Sequence, residues 1–570
     1  MKFKVLSSYL ERLEKEASRN KITEILAELF KESSADEIDK IVYLVLGQIA
    51  PNYQGLVLNI ADKMMIRVIA KVSNVSEEKV RALYKKEGDL GNVSLRLIKG
   101  KSDGLTVNDV YKKLVDIAND NGFKSQERKV SKFAELLSNL DPLSAKFVCR
   151  IPVGKLRLGF SDMTILDALS FMLKGDKSAR KEIEAAFNVS VDTGKIAKLV
   201  KEKGLSKINE IEAQAGTPIR PALAERLPSA EKMLEKVGKK VIVEPKYDGF
   251  RTQIHIFKKD GQKKVLIFSR NLETTTHMFP DLVEAALKID VESAIFDGEA
   301  IAYDEKNNRF LPFQETVQRK RKHGVEKAVL DVPLKLFIFD LLYKDGKSYL
   351  NFPFTQRRKE LEKINFSDKR IEIARQNIVD SASGIRDLVK KYLAEGLEGA
   401  MVKKMDDPYK AGARGYHWVK YKKTTEEGVA DTIDCLVMGT YKGKGRRSGF
   451  GVGAFLVGIK DKNKFKTVSK IGTGLTDEQW RELERRTKKI SADKKSDFYI
   501  VDKNLSPDTW VTPSLVVEIL ADEITKSPIH SAGLALRFPR LVKFRDDKRA
   551  KDTNNLNELK NLFEMQKNIT

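Results

Sequence analysis

Residues 244–251 read EPKYDGFR. Lys246 closes a β-branched run, and Asp-Gly turns the chain two residues later. A lysine at a turn between two strands is placed to meet a ligand phosphorus. To attack it, the amine must be deprotonated, and neighbouring cations or a bound metal lower its pKa enough for that. K-x-D-G alone more often marks a surface lysine beside a β-turn. It is accompanied here by FSRN (268–271), FDGEA (296–300), FIFDLLY (337–343), EGAMVK (398–403), WVKYKK (418–423) and LRFPR (536–540). In WVKYKK, Lys420 and Lys422 alternate along one strand, so both cations point the same way. YKGKGRRSGFG (441–451) is a Gly-rich basic loop, and RKRK (319–322) is a cation run.

Three regions must position these residues. Residues 1–212 read as helical. Tyr9, Leu10 and Leu13 recur at helical spacing, as do Ile22, Ile25, Leu26, Leu29 and Phe30, and Phe133, Leu136, Leu137 and Leu140. From residue 213 to 423 the texture becomes mixed α/β. VIVEPKYDGF, TQIHIF, KVLIFSR, AIFDGEAIAYD and LKLFIFDLLY read as strands, with helical stretches near 355–364 and 383–395. Phe250, Thr252, Ile254 and Ile256 alternate with Arg251, Gln253 and His255, the period of a strand with one wet face. From 424 to 570 the chain is mostly β, with one helix around 476–490. Five strands and a helix predict a small β-barrel of the OB type. The fold class is thus multidomain: all-α, then α/β (α+β), then β-barrel.

The 570 residues exceed one ordinary core, and 41% apolar with 33% charged residues describe a soluble globular chain. Lys and Arg total 105 against 81 acidic residues, a net charge of +24. A polyanionic partner explains such an excess, because basic side chains displace counterions from phosphates. Cys149 and Cys435 form no CxxC pair and the five histidines no HExxH, which argues against a zinc site or disulfide framework. Without an apolar leader or a membrane-length apolar run, a soluble cytoplasmic protein is expected.

Taken in order, the seven segments resemble the covalent nucleotidyltransferases, the superfamily of ligases and mRNA capping enzymes. Within it the chain resembles the ATP-dependent DNA ligases of the archaeal and eukaryotic replicative type. The resemblance implies that Lys246 takes AMP from ATP as a phosphoramidate. Glu244 is then expected to read the adenine amino group, Arg251 to contact ribose or phosphate, and Arg270 to bind phosphate. Phe339 would stack on adenine, while Lys403, Lys420 and Lys422 would face phosphates. Arg414 joins the nucleotide-binding set. Glu299 and Glu398 would hold a divalent ion. Carboxylates without a Cys or His cluster suit Mg²⁺, with Mn²⁺ as the alternative. Arg537 and Arg540 would orient the leaving pyrophosphate, which implies a hinge near residues 423–427.

The partner implied is nicked double-stranded DNA, bound by a monomer through its backbone. GKLRLGFSDMTILDAL (154–169) resembles the family's helical DNA-binding domain, with Lys155, Arg157 and Gly159 near a minor groove. Lys444, Arg446 and Arg447 of the Gly-rich loop, and the RKRK run, are further expected DNA contacts. TPIRPALAERL (217–227) resembles the entry to the catalytic domain. A sliding-clamp segment with glutamine and aromatic residues is not visible near IKGKSDGLTV (98–107). A capping guanylyltransferase, an RNA ligase and a non-catalytic nucleic-acid scaffold are the rival readings. The large helical region argues against the first, and intact Lys246, Glu299, Glu398 and Arg537 against the last.

Overall fold

The computed structural model describes residues 1–100, 104–154, 156, 158–227, 229–307, 309–321, 323–422, 432–443 and 451–568. The chain divides into two compact units. The first comprises Met1–Arg226, Met233–Ile385 and Glu395–Lys420; the second comprises Leu227–Lys232, Arg386–Ala394 and Tyr421–Thr570.

Within the first unit, helices run from Phe3 to Lys203. The first, Phe3–Lys15, buries Phe3, Leu6, Tyr9, Leu10 and Leu13, the apolar face its spacing demands. Val107–Asn119 starts at a capping box, where Thr106 and Asp109 satisfy each other's backbone N–H groups. These helices share one core that includes Leu26, Phe30, Phe133, Phe147 and Leu169. Cys149, in the helix Pro142–Arg150, is fully buried in it.

Two sheets follow in the same unit. One has the order Leu223–Arg226, Arg414–Lys422, Gly399–Lys403, Val241–Lys246, Asn377–Val379. The other aligns Gln262–Ser269, Phe250–Lys259, Ala294–Asp304 and Leu334–Lys344, with Ile371–Ile373 parallel to the last. Ile254, Ile256, Phe296 and Ile338 pack with Leu282, Ala285 and Ala286 of the helix Pro280–Leu287.

Phe250–Lys259 departs from the expected one wet face. Gln253 and His255 are buried too. The reason is the segment entering the sheets. Gln253 exchanges hydrogen bonds with the Ile219 backbone, receiving the N–H at 2.8 Å and donating to the carbonyl at 3.0 Å. His255 Nδ1 accepts the Gly216 N–H at 3.0 Å. These polar groups are satisfied by backbone instead of water.

In the second unit, Ile433–Lys442 pairs with Val452–Asp461, Thr509–Val511 and Val516–Leu520. Val452–Asp461 pairs with Lys464–Ile471, and Val516–Leu520 with Arg540–Phe544. LVVEILADEI and LALRFPRLVKF each form two strands, because the chain bends at Asp522 and again at Phe538, which has a positive φ. The helix Asp477–Lys489 begins at a Thr476/Gln479 capping box and packs Trp480 edge-on to Phe455, ring centres 6.3 Å apart. Cys435 is fully buried in this core. No helix among the described residues is long and apolar enough to cross a membrane.

Candidate active site

Lys246 ends the buried strand Val241–Lys246. Gly399–Lys403 runs antiparallel beside it, with Gly399 opposite Lys246 and Lys403 opposite Ile242. The Glu398 N–H donates to the Lys246 carbonyl at 3.0 Å, which fixes the start of the neighbouring strand. This register brings the Lys246 amine onto the Glu398 carboxylate. Gly249 is needed in the following turn, since a Cβ there would lie 2.2 Å from the Ala300 carbonyl oxygen. The close approach lets Phe250–Lys259 pair with Ala294–Asp304, which puts Glu299 opposite Arg251. Burial raises the Glu299 carboxyl to about 7, against the pull of Lys246 and Arg251.

Glu244, two residues before Lys246, forms an ion pair with Lys403 at 2.6 Å. Both side chains are at most 3% exposed. The Lys403 amine also lies over the rings of Trp418, Phe354 and Phe339, at 4.4, 4.6 and 4.7 Å. Burial pushes the Glu244 carboxyl up, opposed by Lys403, and pushes the Lys403 amine down, opposed by Glu244. Glu244 Oε1 is buried without a hydrogen-bond partner. A buried acceptor of this kind calls for a donor from a ligand. Phe339 stands edge-on to Trp418 at 5.9 Å and forms an aromatic wall beside this pair.

Arg251 is held from several sides. It forks onto Asp297 at 3.1 and 2.6 Å, donates to the Ala222 carbonyl at 2.6 Å, and lies 5.6 Å from the Phe339 ring. The Tyr409 hydroxyl donates to Asp297 at 2.7 Å and accepts the Ala222 N–H at 3.0 Å. Burial opposes the Arg251 charge, but Asp297 and Tyr409 offset it, and its pKa is raised.

The structure therefore gathers Lys246, Glu398, Glu299, Glu244, Lys403, Phe339 and Arg251 around adjoining strands. Lys403 lies against Glu244 under the aromatic wall instead of standing open to solvent for a phosphate. Arg270 is exposed in the turn after Gln262–Ser269, and Arg414 is exposed at the start of Arg414–Lys422. Lys420 and Lys422 are half-buried on that last strand. In the second unit, Arg537 pairs with Glu523 at 3.2 Å and Arg540 with Asp522. Lys155, Arg157, Lys444, Arg446, Arg447 and the expected hinge at 423–427 lie outside the described residues.

The RKRK run needs correction. Arg319 is fully buried, forked onto Asp281 at 3.2 and 2.6 Å and bonded to the Val332 carbonyl, so it has no face for DNA. Lys320 and Arg321 stay exposed, while Lys322 lies outside the described residues. Sequence reasoning also missed Asp297, Tyr409 and Trp418. Asp297 and Trp418 lie inside quoted motifs, where an acid and an indole beside the reactive residues were the available signal. Tyr409, in DDPYKAG, carries none.

Among the described residues, no three His, Cys, Asp or Glu side chains form a group able to hold a metal alone. Glu398, paired with Lys246, and Glu299, whose carboxyl feels the Lys246 charge, are hard oxygen donors. They suit an ion that takes its other ligands from water and a triphosphate.

Residues 2–170 match the family described as DNA ligase N terminus, residues 221–422 the ATP dependent DNA ligase domain, and residues 448–548 the ATP dependent DNA ligase C terminal region. A probable DNA ligase of Dictyoglomus thermophilum is 43% identical over 578 residues, covering 100% of this chain and 98% of the relative. The DNA ligase of Saccharolobus solfataricus is 38% identical, covering 99% and 98%. A solved structure named Pmar-Lig_Pre is similar in fold, with a TM-score of 0.55 and 19% identity over 95% of this chain and 99% of that one.

Proposed function

The chain belongs to the ATP-dependent DNA ligases, and on that premise we propose that Lys246 is the residue that carries AMP. The observation that supports this is the Lys246 amine against Glu398, two residues along the strand from Glu244 of the sealed Glu244–Lys403 pair and its aromatic wall.

The Lys246 nitrogen attacks the α-phosphorus of ATP, and the bond to pyrophosphate breaks. AMP then passes to the 5′-phosphate at a nick, restoring the lysine. The 3′-hydroxyl attacks the activated phosphate and AMP leaves. Each step makes one P–N or P–O bond as another breaks, so positioning and charge neutralisation dominate. Adenine lies on Phe339. Its amino group donates to Glu244 Oε1, the orphan acceptor, and its ring nitrogen N1 accepts from Lys403. Guanine presents the opposite pattern there, which favours ATP over GTP. Glu299 and Glu398 would hold Mg²⁺, which would neutralise phosphate charge. Arg270, Arg414, Lys420, Lys422 and Arg537 serve the phosphates, and Arg251 fixes the pocket and the ribose.

The domains run 1–212, 213–423 and 424–570, the last an OB-type barrel. Nicked duplex DNA meets Lys155, Arg157, Lys444, Arg446 and Arg447. The protein acts as a cytoplasmic monomer in replication, repair and recombination, and any sliding clamp docks without the usual segment.

The test is incubation with Mg²⁺ and α-labelled ATP, GTP or NAD, followed by nicked duplex. The expected result is a protein–AMP band with ATP that fades as sealed DNA appears. Lys246→Ala should form no band yet seal a pre-adenylated nick. A band in that variant would remove Lys246 from the mechanism.

A further inference from the structure

Helix Arg180–Ser190 reaches the nucleotide pocket through one short relay. The Asn188 carbonyl accepts the Arg220 N–H at 2.8 Å, and its side-chain Oδ1 accepts from the Arg220 guanidinium at 3.2 Å. That guanidinium lies over the Phe187 ring at 5.6 Å. The Arg220 carbonyl in turn accepts the Gly412 N–H at 3.2 Å. Gly412 has φ +68°, and a Cβ there would lie 2.5 Å from Asn188 Oδ1. Asn188 therefore holds the segment 219–223 by hydrogen bonds and lies against Gly412 of the segment 409–414, and both segments converge on the pocket.

Both segments end on pocket residues. Two residues past Arg220, the Ala222 backbone accepts from Arg251 and donates to Tyr409. Three residues before Gly412, Tyr409 bonds Asp297, the partner of Arg251. The Leu223 N–H donates to the Ala413 carbonyl at 3.0 Å and locks the segments side by side. Val189, next to Asn188, packs into the apolar cluster that contains Trp418, Tyr409 and Phe339.

We propose that Asn188, with Arg220 and Gly412, is a positioning junction through which the helical region sets the shape of the ATP pocket. It touches no reacting atom. It holds Ala222 and Tyr409 where they keep Arg251 and the aromatic wall in place. The junction rests on the reading of that pocket as the ATP site.

The test uses the full chain. The Asn188→Ala protein is titrated with labelled ATP to give KM and maximal rate for AMP loading. Binding of nicked duplex and the melting temperature are measured in parallel. The expected result is an ATP KM raised about fivefold, with maximal rate and DNA affinity within about twofold. Arg220→Lys should raise KM in the same direction, which keeps the test open if the first variant folds poorly. Gly412→Ala should be worse than either, and adding Asn188→Ala to it should relieve part of the defect by removing the clash. An unchanged ATP KM in Asn188→Ala and Arg220→Lys would overturn the junction. So would defects of Asn188→Ala and Gly412→Ala that merely add, or a KM that moves only in step with melting temperature. An unaltered chain that forms no AMP adduct would instead overturn the ATP pocket itself.

Discussion

Glu244 and Lys403 are each tolerable in the interior only because of the other. Lys403→Met removes the cation and leaves a buried carboxylate alone, a change that costs about 3–5 kcal/mol. Glu244→Gln combined with Lys403→Met removes both charges. The double variant should therefore unfold at higher urea than Lys403→Met alone, while loading AMP poorly because the purine-reading pair is gone. Urea unfolding curves of the three proteins check this; a double variant no more stable than the single would mean that the unpaired Glu244 carboxylate carries no burial penalty. At this scale the sequence was informative where chemistry demands a particular side chain within a motif: Lys246, Glu299, Phe339 and Glu398 all stood in quoted segments. It was silent on Tyr409. A tyrosine that orients an Asp–Arg pair from 112 positions away leaves no local spacing to read.

The strands were legible from their β-branched runs, and the helices from their apolar stripes. Burial of the second face of Phe250–Lys259 was not. Gln253 and His255 look like a wet face because they are polar, yet their partners are backbone groups of residues 216–219, which no periodicity reveals. This burial has a pH signature. Desolvation lowers the His255 pKa from 6.5 to about 3, so the folded chain keeps it neutral. The unfolded chain takes up a proton below pH 6.5. The stabilisation is present in full above 6.5 and is lost as pH falls toward 3, by about 1.4 kcal/mol per pH unit. His255→Gln should lose less stability between pH 7 and 5 than the parent, by about 2 kcal/mol. Urea midpoints at the two pH values measure the difference, and equal losses in both proteins would mean His255 is not the group that titrates.

For the whole molecule, the net charge of +24 sets how it meets DNA. Each phosphate neutralised releases counterions, so affinity for nicked duplex should fall steeply with salt. Replacing Lys444, Arg446 and Arg447 together by Ala should flatten the log–log salt slope by about 2–3, with similar loss on unrelated sequences. An unchanged slope would take that loop away from the phosphates. The change of texture near residue 213 was visible in the sequence, but the attachment of the helices to the sheets was not. It runs through contacts such as Tyr53 edge-on to Phe268, 6.4 Å apart and 215 positions distant in the chain.

The chain has two cysteines, and each compact unit holds one of them, fully buried. Burial lifts the Cys149 thiol to about 12 and raises Cys435 as well, so neither supplies a thiolate while its unit stays closed. The molecule thus carries two built-in clocks. A brief pulse of maleimide marks a unit only during the moments when it is open, and the labelled peptide tells which of the two had opened.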